Sequence, residues 1–434
     1  MEIQESLDIQ YLAMEGGGGW GAAYIGAMRA LAERDIINHF EFKSKSGKTL
    51  KIINPQKTKG IAGVSVGALG ATLIAAGLEE EFFVDTFTSD IPLSFYDSAD
   101  TYTCPVIHIR NDGSVIEPIS YCKNVKEKTL RFADLAVSSA AASTSKFIWQ
   151  LTRPYVKNYL RLSIPDIFQK ILKKSAYIIS MFWDLGFFTG KTIRDWLDDC
   201  LTKQTGIKNI TFEQFHELTS EINGKGFHLK IGGVCLNTGE MVWFDHKGPW
   251  KKMCIADAVR ISISIPGIFK PVAITTKPHE DEVNLETMLL FVDGGVLNNN
   301  PIHAFDNLKR KRIVPKVETL IFGTLYNPAT DITRLNKKLL GLRLTDPSST
   351  KVQRFDNGLS MFGWIIELMV SQNEMSQIRT LKEAEQTIDL DTRGLDILEF
   401  KVDREKLEMI NDKIYEHTIE WLDRNGSIYM KKSK

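Results

Sequence analysis

The feature that most constrains the fold is a serine between two glycines, where a short apolar strand meets a small-residue helix. Ser65 is the centre of the pentapeptide Gly63-Val64-Ser65-Val66-Gly67. The apolar stretch 61–64 predicts the strand, and the small-residue stretch 68–76 predicts the helix. A serine on such a turn projects its hydroxyl from the top of a sheet, beside the amide groups of a helix N-terminus. The pattern predicts a nucleophilic serine at an α/β elbow.

The rest of the chain alternates between the two periodicities of strands and helices. Alternation of this kind favours a largely parallel sheet covered by helices on both faces, a three-layer α/β fold. Between residues 97 and 184 the alternation stops, with a hairpin predicted at 102–120. The other predicted strands are 7–14, 229–236, 289–292 and 319–322, and the other predicted helices are 22–36, 147–183, 361–385 and 404–422.

A run of glycines follows the first predicted strand and precedes the first predicted helix. Its open backbone N–H groups can form an anion site that holds the oxyanion of a serine hydrolase. The same spacing fits a dinucleotide-binding loop, but that loop expects an acidic residue at the end of the second strand, and here a polar stretch occupies the place. The oxyanion interpretation is the favoured one. The run is Gly16-Gly17-Gly18-Gly19-Trp20-Gly21.

A nucleophilic serine also needs a base, and Asp293 is the candidate. It ends the apolar stretch 289–292 and is followed by Gly294 and Gly295. Ligand-facing groups collect at the carboxyl ends of strands in open α/β sheets. An isolated acid before two glycines is more often a turn cap. Three glycine-flanked sites in one chain favour the catalytic interpretation instead.

These three sites, in this order, resemble those of the patatin-like phospholipases. The segments 190–197 and 258–269 also resemble that family, and the likeness spans about residues 9–301. The resemblance implies a patatin-like catalytic domain at 9–305, carrying a large helical insertion at 97–184 that acts as a lid or membrane-contact region. A strand and helices at 306–434 would pack on this catalytic core.

The resemblance further implies a lipid acyl hydrolase with a Ser65–Asp293 dyad and an acyl-enzyme intermediate. Asp293 would accept the Ser65 proton, and neither a metal nor an organic cofactor would take part. Trp20 departs from the family, which usually has Arg or Lys there. The implied oxyanion-hole residues are Gly16, Gly17, Gly18, Gly19, Gly21 and Val66, and the implied motif residues are Gly63, Gly67, Gly294 and Gly295.

Two alternatives remain open from the sequence. A Ser-His-Asp esterase would need a histidine late in the chain, and only His303 and His417 follow Asp293. Neither lies in a motif, so packing or surface roles are favoured for both. The other alternative is a catalytically weak lipid-binding or interaction module, because Trp20 could mark a degraded site.

The composition bears on partners and location. Lys plus Arg and Asp plus Glu both total 54, which gives no global attraction to nucleic acid. The segment 146–183 combines basic and aromatic residues, which favours peripheral contact with a membrane that holds the lipid substrate. Scattered cysteines without a C-x-x-C pair indicate reduced thiols, and no signal peptide or transmembrane stretch is recognised. We expect a cytoplasmic protein; secretion as an effector and activation by a partner protein are compatible with the sequence.

Overall fold

The computed structural model describes residues 7–97, 103–109, 118–124, 185–276, 282–283, 288–308, 316–322, 333–346, 380–397 and 400–429. The described strands are β1 (Tyr11–Met14), β2 (His39–Lys43), β3 (Thr49–Ile53), β4 (Gly60–Val64), β5 (Thr103–His108), β6 (Ser120–Asn124), β7 (Gly186–Phe188), β8 (His228–Cys235), β9 (Glu240–Phe244), β10 (Gly267–Phe269), β11 (Val272–Thr275), β12 (Glu282–Val283), β13 (Leu289–Asp293), β14 (Asn307–Leu308), β15 (Thr333–Arg334), β16 (Leu339–Thr345) and β17 (Thr387–Asp391). The described α-helices are α1 (Tyr24–Glu33), α2 (Val66–Ala75), α3 (Glu80–Thr88), α4 (Ile91–Ser94), α5 (Lys191–Thr205), α6 (Phe212–Asn223), α7 (Ile255–Ser262), α8 (Lys316–Phe322), α9 (Leu381–Glu385) and α10 (Arg404–Asn425).

A mixed sheet of eleven strands forms the centre of the protein, in the order β12-β6-β5-β11-β13-β8-β4-β1-β16-β17, with β9 also paired to β8. The half that runs from β8 to β17 is parallel throughout. In the other half, β13 is antiparallel to both β8 and β11. Helices flank this sheet, so the predicted α/β class is confirmed.

Helix α2 begins directly after Ser65 and is buried along its whole length. All ten of its residues are buried, and it packs against β4, β8 and β1. Its alanines and glycines allow this close packing, because a helix that is apolar all round belongs in a core rather than at a surface. Helix α1 packs against α10. At their contact the Gly26 N–H donates to Asn411 Oδ1 at 2.7 Å.

The described part of the predicted insertion belongs to the central sheet. β5 and β6 pair antiparallel, as the predicted hairpin requires, and β5 also pairs with β11. The two ends of the insertion are joined, since the Thr189 and Lys191 N–H groups donate to the carboxylate of Asp97 at 2.9 and 2.7 Å. The basic and aromatic segment 146–183 lies outside the described residues.

Beyond residue 305 the secondary-structure predictions met mixed results. The predicted strand at 319–322 is wrong, because these residues belong to the helix Lys316–Phe322. A short apolar run carries no periodicity that separates a strand from a buried helix. The predicted final helix is confirmed as Arg404–Asn425. The chain here also supplies β16 and β17 to the central sheet, beside β1.

The cysteines and the helices of the described ranges also bear on the sequence predictions. All five cysteines lie within them, and all are buried and outside any disulfide. None of the helices in these ranges has both the length and the uninterrupted apolar character that crossing a bilayer requires.

Candidate active site

Ser65 lies on a strained turn between β4 and α2. Its backbone has φ 54° and ψ −128°, a conformation that residues with a side chain rarely adopt. Strain of this kind costs about 1–3 kcal/mol and persists only where the surrounding structure enforces it. The strained backbone turn that the sequence predicts at Ser65 is therefore confirmed.

The two glycines of the pentapeptide allow the chain to approach itself closely. A Cβ atom added at Gly63 would lie 2.2 Å from the Gly67 carbonyl oxygen, and one added at Gly67 would lie 2.3 Å from the Met14 carbonyl oxygen. Either contact would force the backbone apart. Helix α2 consequently begins against the end of β1, which places Ser65 beside the glycine-rich loop that follows β1.

A second serine, Ser262, holds the backbone of the elbow in place by hydrogen bonds. The Ser65 N–H donates to Ser262 Oγ at 2.9 Å, and the Ser262 hydroxyl donates to the Gly232 carbonyl oxygen at 2.6 Å. Ser262 is fully buried. It ends α7, inside the segment 258–269 that the sequence singled out only by family likeness. Its supporting role for the elbow was not predicted.

Asp293 reaches Ser65 through the register of β8. Val64, the last residue of β4, is paired with Gly232, and Asp293, the last residue of β13, is paired with Gly233. The two strands run in opposite directions, yet they end at adjacent positions of the same partner strand. The structure thus brings the predicted nucleophile and the predicted base together.

The carboxyl group of Asp293 is buried and poorly solvated. Its Oδ1 accepts the Gly295 N–H at 2.7 Å, whereas no standard hydrogen bond to Oδ2 is found among the described residues. Burial raises the pKa of Asp293 to about 7, although the nearby Ser65 hydroxyl and the Gly295 N–H favour the charged form. A carboxyl with a pKa near neutrality is suited to accept and return a proton at physiological pH.

The glycine-rich loop carries free donors beside Ser65. A Cβ atom added at Gly16 would lie 2.9 Å from the Ser65 Cβ, so the loop touches the nucleophile. For the N–H groups of Gly17, Gly18 and Val66, no acceptor is found in the described part of the chain. These groups remain available to an oxyanion.

Three other predicted oxyanion-hole residues have structural roles here. The Gly16 N–H donates to the Asn299 carbonyl oxygen at 3.1 Å, and the Gly19 N–H donates to the Ile397 carbonyl oxygen at 2.7 Å. Gly21 packs on Val66, whose Cγ2 would lie 2.3 Å from an added Cβ. These bonds already use the Gly16 and Gly19 amides, whereas those of Gly17, Gly18 and Val66 have no acceptor among the described residues.

Trp20 is a core residue. Its side chain is 8% exposed and belongs to the main hydrophobic cluster. The indole therefore packs the glycine-rich loop against the core of the protein.

Two buried polar residues that were not predicted hold the loops of the site together. Asn299 donates through Nδ2 to the Gly16 carbonyl oxygen at 2.9 Å. Glu15 is fully buried, and its Oε2 accepts the Leu344 N–H at 2.9 Å. Together they join the segments after β1 and β13 to β16. Their position beside the glycine motifs was the available sequence signal.

The two histidines that follow Asp293 in the sequence lie in environments other than that of Ser65. His303 Nδ1 lies 2.9 Å from Asp306 Oδ2, and its Nε2 lies 3.2 Å from Glu383 Oε1. His417 is exposed on α10. Neither is a hydrogen-bond partner of Ser65 in the described structure, so nothing here supports a Ser-His-Asp arrangement.

Comparisons with known proteins found one similar curated protein, similar solved structures and a matching family. An uncharacterized protein of Bacillus subtilis, YqhO, is 28% identical over 203 residues, which cover 44% of this chain. The match spans 62% of that relative, less than two thirds of its length.

Similar solved structures include two bacterial proteins. VipD from Legionella pneumophila has 14% identity and a TM-score of 0.43, with 97% of this chain and 68% of that chain covered. ExoU in its complex with SpcU from Pseudomonas aeruginosa has 17% identity and a TM-score of 0.36, with coverage of 98% and 53%.

The family comparison covers the segment that holds every predicted site residue. The model of the patatin-like phospholipases matches residues 12–306, about two thirds of the chain. This range extends from β1 past Asp293 and its glycines. The chain therefore belongs to the patatin-like phospholipase family.

Proposed function

We propose that this protein is a lipid acyl hydrolase that cleaves carboxylic esters of phospholipids through Ser65 and Asp293. The observation that carries the proposal is the pairing of a serine on a strained elbow with a buried carboxyl whose pKa is raised to about 7. A hydroxyl on a strained turn next to a poorly solvated base is the arrangement that nucleophilic acyl transfer needs.

In the first half of the reaction, the Asp293 carboxylate takes the proton of Ser65 as its Oγ attacks the ester carbonyl. The resulting oxyanion accepts hydrogen bonds from the N–H groups of Gly17, Gly18 and Val66, helped by the N-terminus of α2. Collapse of the tetrahedral intermediate breaks the ester C–O bond. Asp293 returns its proton to the departing alcohol, and the acyl group stays on Ser65.

In the second half, Asp293 removes a proton from a water molecule that attacks the acyl-enzyme. The same amides hold the second oxyanion. When this intermediate collapses, the Ser65 oxygen leaves with the proton from Asp293, and the fatty acid is released. The dyad returns to its starting state with one water consumed.

A serine-reactive fluorophosphonate provides the test of the nucleophile. We expect one phosphonyl group on the protein, located at Ser65 by peptide mass spectrometry. The labelling rate should rise about tenfold per pH unit up to a plateau near pH 7, because only the ionised Asp293 accepts the proton. Labelling at another residue, or none at Ser65 with membranes present or absent, would favour the lipid-binding module instead.

The lipid substrate implies a membrane, and we propose that residues 146–183 contact it. The support is the composition of this segment, whose basic and aromatic residues favour an anionic interface by roughly 1 kcal/mol per basic residue. Replacing Lys170, Lys173 and Lys174 by Glu should reduce sedimentation with vesicles containing anionic lipid. Unchanged sedimentation would reject this contact while leaving the proposed chemistry at Ser65 intact.

A further inference from the structure

Asn299 is bonded to both polar groups of Gly16, the first residue of the glycine-rich loop. Its backbone carbonyl oxygen accepts the Gly16 N–H at 3.1 Å, and its Nδ2 donates to the Gly16 carbonyl oxygen at 2.9 Å. The amide also lies against the Gly16 Cα, because an added Cβ would be 2.2 Å from Asn299 Oδ1. Asn299 is 2% exposed. Bulk water is thereby kept from competing for the Gly16 carbonyl oxygen.

The surroundings of the Asn299 amide fix which of its ends faces Gly16. Asn299 Nδ2 lies 3.4 Å from Glu15 Oε1 as well as close to the Gly16 carbonyl oxygen. Glu15 is itself held in place, since its Oε2 accepts the Leu344 N–H at 2.9 Å. Turned end for end, the amide would place Oδ1 against the Gly16 carbonyl oxygen, acceptor against acceptor. Asn299 therefore presents a donor to Gly16 in one orientation only.

The hydrogen bond from Asn299 also sets the direction of the Gly17 N–H. The peptide between Gly16 and Gly17 is trans, as are all peptide bonds among the described residues, and a trans peptide points its C=O and its N–H in opposite directions. The Gly17 N–H thus points away from the Asn299 amide, and it has no acceptor in the described part of the chain. Neither glycine has a Cβ, so steric contacts alone do not fix this peptide plane.

We propose that Asn299 is a positioning residue for the oxyanion hole, because it holds the Gly16–Gly17 peptide with its N–H, and not its carbonyl oxygen, toward the reacting ester. This rests on the proposed function of Ser65. With the peptide turned over, the Gly16 carbonyl oxygen would repel the developing oxyanion and one donor would be lost. Loss of the Asn299 donor slows the chemical step more than it weakens substrate binding, since the oxyanion forms only during the reaction.

Two substitutions that remove the donor test this role. Asn299→Ala deletes the amide, and Asn299→Asp keeps its shape. The introduced carboxyl has at most one proton, which it shares with the Glu15 carboxyl in the stronger, charge-assisted hydrogen bond, so the Gly16 carbonyl loses its donor. We expect either variant to lower kcat for p-nitrophenyl butyrate about 10²-fold with little change in KM. Thermal unfolding of each variant shows that it is folded.

A thiono ester separates a lost oxyanion hole from general damage to the site. In p-nitrophenyl thionobutyrate, sulfur replaces the carbonyl oxygen, and sulfur is a weak hydrogen-bond acceptor, so the hole contributes little to hydrolysis of this ester. The ratio of kcat/KM for the oxygen ester over the thiono ester should therefore fall about tenfold in both Asn299 variants. A ratio equal to that of the parent in Asn299→Asp would overturn the proposal, however slow the variant is.

Asn411→Ala is the matched control. Asn411 is 3% exposed, and its amide also bonds the backbone, accepting the Gly26 N–H at 2.7 Å and donating to the Leu407 carbonyl oxygen at 3.0 Å. It lies at the contact of α1 with α10, so its loss should lower the unfolding temperature and leave the ester ratio at the parent value. An equal fall of the ratio in Asn411→Ala and Asn299→Ala would reflect loosening of the core and contradict the proposal.

Crystal structures of the parent and of Asn299→Asp test the positioning role without any measurement of activity. We expect the Gly16–Gly17 peptide to be turned over in the variant, with the Gly17 N–H donating to the introduced carboxyl. If the parent hydrolyses no ester but the peptide turns over in the variant, the control of this peptide by Asn299 stands and the hydrolase assignment fails. A peptide that keeps its orientation in Asn299→Asp would overturn the proposal, even where hydrolysis slows.

Discussion

Ser65→Ala is expected to lower ester hydrolysis by at least about 10⁴-fold while leaving the fold intact, because loss of a nucleophile removes the whole covalent pathway. Alanine keeps the backbone of the elbow under the same strain as serine. Ser65→Gly should lose activity equally but unfold at a higher temperature than Ser65→Ala, since glycine adopts φ 54° without a steric cost. Rates on p-nitrophenyl butyrate and thermal unfolding measure the two effects.

Ser262→Ala is the control for a merely disturbed elbow. It removes the hydroxyl that accepts the Ser65 N–H and donates to the Gly232 carbonyl oxygen. We expect it to cost about 1–3 kcal/mol of stability, and to reduce activity far less than Ser65→Ala does. Equal activity losses in the two variants would contradict a nucleophilic role for Ser65.

Asp293→Asn is expected to have effects of opposite sign on activity and stability. Asparagine can still accept the Gly295 N–H but cannot take a proton, so hydrolysis should fall by about 10³–10⁴-fold. In the parent, kcat/KM should decrease tenfold per pH unit below about pH 7, where Asp293 becomes protonated. The variant should lose this dependence on pH.

The stability of Asp293→Asn follows from the raised pKa of the folded protein. Folding raises the pKa of Asp293 from 3.8 to about 7. Proton binding by Asp293 therefore favours the native state, fully below about pH 4, and this contribution is lost as the pH rises through 7. Above pH 7 the free energy of unfolding of Asp293→Asn should therefore exceed that of the parent by at most about 4 kcal/mol. Near pH 4 the two should unfold alike.

Asp245→Asn is the matched control among the buried aspartates. His228 and Lys247 hold the pKa of Asp245 well below its usual value despite its burial. A lowered pKa stabilises the folded protein at neutral pH, so Asp245→Asn should destabilise it and leave the pH profile of hydrolysis unchanged. If Asp293→Asn also destabilised the protein at pH 8, the account of a poorly solvated base would be wrong.

The elbow was predictable because its signals are local. A strand, two glycines around Ser65 and a small-residue helix are adjacent in sequence, and the same close approaches that demand Gly63 and Gly67 appear in the structure. The α/β class followed from periodicity in the same way. Residues 319–322, which carry too short a pattern to show a period, were assigned the wrong element.

The meeting of Ser65 with Asp293 depends on information that no local pattern holds. The sequence predicts Asp293 at the carboxyl edge of a largely parallel sheet. The strand that carries Asp293 is antiparallel to β8, and its last residue reaches the elbow only because Gly232 and Gly233 pair with the ends of β4 and β13. Register between distant strands is set by tertiary packing.

The oxyanion donors illustrate a second limit. A glycine run shows which amides are sterically open, but it does not show which are already bonded. Gly16 and Gly19 donate to Asn299 and Ile397, residues far along the chain. Only the folded loop distinguishes these amides from those of Gly17 and Gly18.

The central claim is that Ser65 hydrolyses membrane lipid, and lipid-product mass spectrometry tests it most directly. The parent and Ser65→Ala would each be incubated with vesicles of mixed phospholipids, and free fatty acids and lysophospholipids would be quantified. We predict that both products accumulate with the parent and remain at the level of the protein-free control with Ser65→Ala. Equal release by the two proteins, or release by neither, would contradict the account.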